Sequence, residues 1–285
     1  MKLLRFGPPG EERPGCLDPA GGLRDLSGVI PDLAGAALDP HRLQQLSHFD
    51  LGRLPRVEGA PRLGPPVGGV RKILGIGLNY RSHAAETGAT PPAEPLVFCK
   101  AITALSGPND PIVIPRNATK TDWEVELAVI VGRRMQYVAV ADALAHVAGY
   151  ALINDVSERA FQKERGGQFV KGKSADSFAP LGPWLVTPDE IPDPQAVDLW
   201  LDVNGRRRQA GSTRDMIFSV AVILSHLSEF MTLEAGDVIA TGTPAGVGMG
   251  CSPPEYLRPG DEVVLGSPQL GEQRHAVVAW QPTRS

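Results

Sequence analysis

The chain has 285 residues, of which 42% are apolar and 21% charged, and its formal net charge is −4. This is an ordinary globular composition, large enough for one substantial core with or without a small attached domain. The acidic balance argues against a nucleic-acid partner, and no run of about 18 apolar residues marks a membrane span.

In chain order, Met1–Gly7 turns polar too soon for a signal peptide. Residues 1–65 read as a small N-terminal domain, in which short apolar pieces such as Lys2–Phe6 and Leu23–Ile30 are separated by Gly, Pro and Asp. Val57–Pro66 contains Gly-Pro and Pro-Pro steps that block regular structure, so it reads as a linker. The main domain then spans 66–285, its first element starting near Val70. Short β runs are predicted at Ile73–Leu78, Leu96–Lys100, Ile112–Pro115, Trp123–Val131, Tyr150–Asn154 and Trp184–Thr187. Further runs follow at Leu199–Val203, Val238–Thr241, Glu262–Leu265 and His275–Trp280, and Asn204-Gly205 marks a hairpin turn. Helices are predicted at Ala139–Val147, at Ser157–Glu164 with Ser157 as cap, and from about Asp215 to Phe230. Ser212 and Asp215 resemble a capping box for the last of these. Most strands follow one another without a helix between them. That predicts a mainly β fold with some α, its sheets antiparallel or mixed and its helices packed outside.

The three cysteines, Cys16, Cys99 and Cys251, form no C-x-x-C pair. They make a zinc knuckle improbable and suit a reducing cytoplasm. The chemistry concentrates in the segment from Asp122 to Gly132. Alternation along a strand puts Trp123, Val125, Leu127, Val129 and Val131 on one face, with Glu124, Glu126, Ala128 and Ile130 on the other. The second face is apolar at its far end, so the two glutamates project about 7 Å apart from a strand that enters the core. A cation, protonation of one acid, or solvent exposure must offset their repulsion and lost hydration. On the pair alone, a solvated strand edge is the readier account. Asp155 ends the apolar run Tyr150–Asn154 just before a helix start, where an acid serves either as a helix cap or as a metal ligand. Three acids with no His or Cys nearby in sequence would make an all-oxygen site for a hard cation.

Ordered motifs over residues 70–280 carry a resemblance. They are Gly77–Glu86, Phe98-Cys99-Lys100 with Gly107-Pro108, Asp122–Leu127, Gly149-Tyr150, Asn154–Arg159 with Gln162, Gly172–Phe178, Gly182-Pro183-Trp184, Val203-Asn204-Gly205 and Thr241–Gly248. In these the chain resembles the fumarylacetoacetate hydrolase family. Its N-terminal piece is similar to a subgroup acting on 2,4-dioxo-3-deoxy sugar acids, whose members are labelled diketo-deoxyrhamnonate hydrolase or ureidoglycolate lyase. The resemblance implies a mixed β-roll core of the family's C-terminal type, a homodimer, and Mg2+ or Mn2+ held by Glu124, Glu126 and Asp155. It places the family's His/Glu pair on His83 and Glu86 in a loop that closes over substrate, and its lysine on Lys173. Substrate contacts fall on Arg159, Gln162 and Thr243. Ser177 stands where many members have Thr. Gly166 and Phe169 lie in a variable stretch and receive no role.

The chemistry expected from this set is hydrolysis of a C–C bond in a 2,4-dioxo acid, giving pyruvate and a second acid. His83 has a suitable ordinary pKa to activate the water. Glu86, three residues on, can orient the imidazole if the segment is helical; without the resemblance, His83 would pass as a surface-loop histidine. Lys173 near the metal could stabilise developing negative charge. The Thr241–Gly248 loop can offer backbone N–H groups to an anion but lacks the lysine and helix start of a phosphate loop. The same metal site could serve decarboxylation, isomerisation or ureidoglycolate cleavage. A non-catalytic carboxylate binder is the alternative of a different class, and the His83/Glu86 pair argues against it because binding alone needs no base.

Overall fold

The computed structural model describes residues 1–282. The N-terminal segment contributes β1 (Lys2–Phe6), β2 (Arg13–Leu17), β3 (Leu23–Asp25), helix α1 (Pro40–Ser47) and β4 (Leu63–Gly64). β1 pairs antiparallel with β2 and β4, and its other partner comes from far along the chain, as Lys2 faces Val186 and Leu3 faces Leu185. The segment ahead of residue 65 is therefore hydrogen-bonded into the principal sheet.

Next come β5 (Ile73–Gly77), α2 (Arg81–Glu86), β6 (Leu96–Lys100), β7 (Leu105–Ser106), β8 (Ile112–Ile114), β9 (Thr121–Asp122) and β10 (Val125–Val131). They are followed by β11 (Val147–Asn154), β12 (Ser157–Glu158), α3 (Arg159–Lys163), α4 (Phe169–Lys173) and β13 (Ala179–Val186). The chain continues with β14 (Asp198–Val203), β15 (Arg206–Ser212), α5 (Val220–Phe230), β16 (Val238–Ala240), β17 (Glu262–Ser267) and β18 (Gly271–Ala279).

The principal sheet runs β3-β2-β1-β13-β11-β10-β16-β5-β6, and a second runs β15-β14-β17-β18-β8. Both are mixed, because β16 lies parallel to β5 and β18 parallel to β8. The architecture is mainly β, and no closed barrel occurs among the described residues. None of the described helices is long and apolar enough to cross a membrane.

β10 and β11 are buried along their whole length, as expected for central strands covered on both faces. Their antiparallel register sets Val125 opposite Asn154 and Leu127 opposite Leu152. The predicted turn at Asn204-Gly205 joins β14 to β15, with φ of 52° and 72°. Several expected elements differ in detail; β13 and β18, for example, begin five and four residues earlier than the predicted runs at Trp184 and His275. Residues 140–146 form a 3-10 turn, and β11 begins at Val147, three residues earlier than predicted. The cap of α3 is Glu158, whose carboxylate accepts from Ala160 N–H, while the Ser157 hydroxyl donates to the Asp155 carbonyl. The last helix starts at Val220 on a Ser219 cap. It cannot start earlier because Asn79 holds residues 217–218: Asn79 O accepts from Ile217 N–H, and Asn79 Oδ1 accepts from Phe218 N–H. Asp215, freed from the expected capping box, accepts from Ser82 N–H at 2.9 Å and so fixes the first turn of α2.

Candidate active site

The register of β10 and β11 brings the three acids together. Glu124 precedes β10 and Asp155 follows β11, and they meet across the pair because Asp155 N–H donates to the Glu124 carbonyl at 2.9 Å. Glu126 shares the face of Glu124 by strand alternation. One carboxylate oxygen from each lies within 4.8 Å of the others, and all three residues are buried.

Cations enclose two of these carboxylates. Lys173, the last residue of α4, places Nζ 2.5 Å from both Glu124 Oε2 and Asp155 Oδ2. Lys100, on the inward face of β6, lies 2.5 Å from Asp155 Oδ1 and donates to the Val156 carbonyl at 3.1 Å. Arg159 spans Glu124 Oε1 at 2.6 Å and Asp122 Oδ2 at 2.8 Å. Asp122 is held further by the N–H groups of Gly248 and Met249. Glu126 makes no ion pair among the described residues. It accepts only the Gly242 N–H, at 2.6 Å. Gly242 has a φ of +100°, and a Cβ there would lie 2.7 Å from Cβ of Asn79, so close approach of this backbone to the acid requires glycine.

The charges respond to these surroundings. Burial opposes ionisation of Glu124, but Arg159 and Lys173 outweigh it and hold the carboxyl far below the usual range. Burial raises Glu126, and Asp155 and Glu124 push it well above an ordinary carboxyl. Burial pulls Lys100 down to about 8 against the attraction of Asp155. For Lys173, burial is outweighed by Asp155 and Glu124, and its pKa rises. Glu126 is thus the acid whose ionised form most needs a further cation. Three carboxylates at these separations form an all-oxygen set that could hold a hard metal cation.

His83 and Glu86 lie on α2, three residues apart and on one face. His83 Nδ1 is 3.1 Å from Glu86 Oε2, and Glu86 Oε1 accepts the Gly246 N–H at 2.8 Å. The carboxylate fixes the tautomer with hydrogen on Nδ1, which leaves Nε2 basic. His83, the three acids, Arg159, Gln162, Lys173 and Thr243 all line one cavity of about 320 Å³. Within it Arg159 is committed to carboxylates and to Gln162 Oε1, and the Thr243 hydroxyl donates to the Val125 carbonyl and accepts from Gln209. Sequence reasoning gave no role to Lys100, Asp122, Phe98 or Phe169. The alternation of Leu96–Lys100, which turns Phe98 and Lys100 to the same side, carried a signal for two of them.

Comparison with known proteins gives a consistent result. The model of the fumarylacetoacetate (FAA) hydrolase C-terminal family matches residues 72–278. A Burkholderia cenocepacia protein named provisionally as a hydrolase is 56% identical over 281 residues, covering 97% of this chain and all of its own. The crystal structure of maleylpyruvate hydrolase from Sphingobium sp. SYK-6, in complex with manganese(II) and pyruvate, is 30% identical with a TM-score of 0.82. It covers 99% of this chain and 100% of its own. The 5-carboxymethyl-2-hydroxymuconate delta-isomerase of Mycobacterium smegmatis is 31% identical with a TM-score of 0.76, over 99% and 100% of the two chains.

Proposed function

We propose, from the premise that this chain belongs to the fumarylacetoacetate hydrolase family, that it is a metal-dependent hydrolase cleaving a C–C bond in a 2,4-dioxo acid. The observation that carries this reading is one cavity containing three buried carboxylates and a carboxylate-oriented histidine. Glu124, Glu126 and Asp155 would hold Mg2+ or Mn2+. When bound, the ion supplies Lewis-acid polarisation of the oxo-acid.

The protein's own groups do the rest. His83 Nε2 takes a proton from water, and the oxygen adds to C4 of the substrate. The C3–C4 bond breaks, its electron pair passes to the three-carbon fragment, and a proton delivered to C3 completes pyruvate. The C4 fragment leaves as a carboxylic acid. Glu86, anchored on Gly246 N–H, stabilises the imidazolium formed in the first step. Lys173 keeps a positive charge beside the oxo-acid as negative charge develops. The manganese and pyruvate of the Sphingobium hydrolase support both the metal and the product.

Likeness to the Mycobacterium isomerase supports a second reading, in which the same site shifts a double bond without cleavage. Incubating the protein with 2,4-dioxopentanoate and Mn2+ while following pyruvate and acetate separates the two. Equimolar release of both acids is expected. Loss of substrate absorbance without pyruvate would favour isomerisation, and no turnover of any 2,4-dioxo acid with Mn2+ or Mg2+ would defeat the hydrolase reading.

The lone position of Glu126 gives a sharper test of the metal. Glu126→Gln is expected to weaken Mn2+ binding by more than about tenfold. In chelator the variant should melt no lower than the parent, because it removes a buried carboxylate that has no ion-pair partner among the described residues. Calorimetric titration and paired thermal melts would check both halves.

A further inference from the structure

The cavity that holds the three acids has a second, apolar half. Lys173 Nζ lies 4.8 Å from the ring centroid of Phe98. Phe98 and Phe169 pack with centroids 5.8 Å apart at 55°. A Cβ added to Gly77 would sit 3.6 Å from Leu96 Cβ and 3.8 Å from Phe169. These contacts trace a continuous wall from the acids outward. Its inner residue, Phe98, is 9% exposed and its outer one, Phe169, 39% exposed. Leu78 and Met249 complete it.

Several of the polar atoms on the cavity lining are already engaged. The Thr87 hydroxyl donates to the His83 carbonyl at 2.9 Å, the Thr243 hydroxyl is engaged with Val125 and Gln209, and Gln162 Oε1 accepts from Arg159. A polyhydroxylated tail lying here would bury hydroxyls with few partners, each at a cost of about tenfold or more in affinity. One cation on the lining, Lys163, is exposed and makes no ion pair with a carboxylate among the described residues, and partial burial together with the nearby Arg159 lowers its pKa.

We propose that the substrate carries an apolar tail, alkyl or aryl, beyond C4, held against Phe98, Phe169 and Leu96. This rests on the reading of the head group as a 2,4-dioxo acid. It differs from the sugar-acid tail implied by the resemblance of the N-terminal piece.

The test uses the full chain loaded with Mn2+ and 2,4-dioxo acids that differ only beyond C4: methyl, propyl, pentyl, phenyl, a terminal carboxylate and a polyhydroxylated chain. Between methyl and pentyl, kcat/KM is expected to rise about fourfold per methylene. Phe169→Ser and Leu96→Ser, both at half-exposed positions that should tolerate change, are expected to collapse the pentyl-to-methyl ratio towards one. Preference for the hydroxylated tail, or for the carboxylate tail with that preference abolished in Lys163→Met, would overturn the proposal. So would a pentyl-to-methyl ratio that both serine variants leave intact. Binding of 2-oxobutanoate and 2-oxooctanoate by calorimetry gives a readout that needs no bond cleavage. Tighter binding of the longer acid without turnover of any dioxo acid would uphold the apolar tail and defeat the hydrolase reading. Equal binding, with the methyl substrate turned over and no gain from longer tails, would do the reverse.

Discussion

Replacing Asp155 by alanine is expected to abolish Mn2+ binding and to destabilise the protein by about 3–5 kcal/mol, lowering the melting temperature by on the order of 10 °C. Two causes act together. The change removes a ligand oxygen, and it takes away the carboxylate that pairs with both Lys100 and Lys173. Lys100 would keep only the Val156 carbonyl while remaining inside the sheet. A buried ammonium left in that state sheds its proton or draws in water, and either response loosens the packing. The double variant Asp155→Leu with Lys100→Met should recover much of the stability and none of the metal affinity, because a hydrophobic pair can replace a buried ion pair at little cost. Denaturant titration and calorimetry separate the two effects. A single variant that melts like the parent and still binds Mn2+ would refute the account.

His83→Ala should act on rate alone. Loss of a general base costs about 10²–10⁴-fold in kcat, while Mn2+ affinity and the melting temperature should stay close to those of the parent. Among the described residues the imidazole hydrogen-bonds to no metal-site acid, and its side-chain partner is Glu86. Glu86→Gln should fall between parent and His83→Ala, since Gln still reaches the ring but cannot balance the imidazolium charge. Pyruvate release under saturating metal is the measurement. Equal kcat in parent and His83→Ala would place the base elsewhere.

Residue order alone gave part of this arrangement. Alternation set Glu124 and Glu126 on one face but left a solvated strand edge as the readier account. It was the family resemblance that singled out His83 and Glu86, whose three-residue spacing then fits a shared helix face. Two features were beyond local pattern. The approach of Asp155 to Glu124 depends on how β10 pairs with β11, and nothing within either strand states that register. The burial of Lys100 depends on what covers β6. In Leu96–Lys100 a terminal lysine looks like a solvated strand end, and α4 supplies the enclosure from more than sixty residues away. Phe169 stands in a stretch without periodicity and was given no role, yet it forms the outer cavity wall. The displaced start of α5 has a similar cause. Propensity favoured a helix from Asp215, and the contacts of Asn79 across the structure outweighed it.

The position of these groups in the principal sheet has a consequence for how the protein can diversify. The acids are attached to β10 and β11, interior strands with a neighbour on each side, whereas Phe98 and Leu96 belong to β6, the last strand of the row. Changes at the periphery can reshape the wall without disturbing the pairing that aligns the carboxylates. Selectivity is therefore free to drift during evolution while the reactive apparatus stays constant, and laboratory redesign for new tails should begin at β6 and α4.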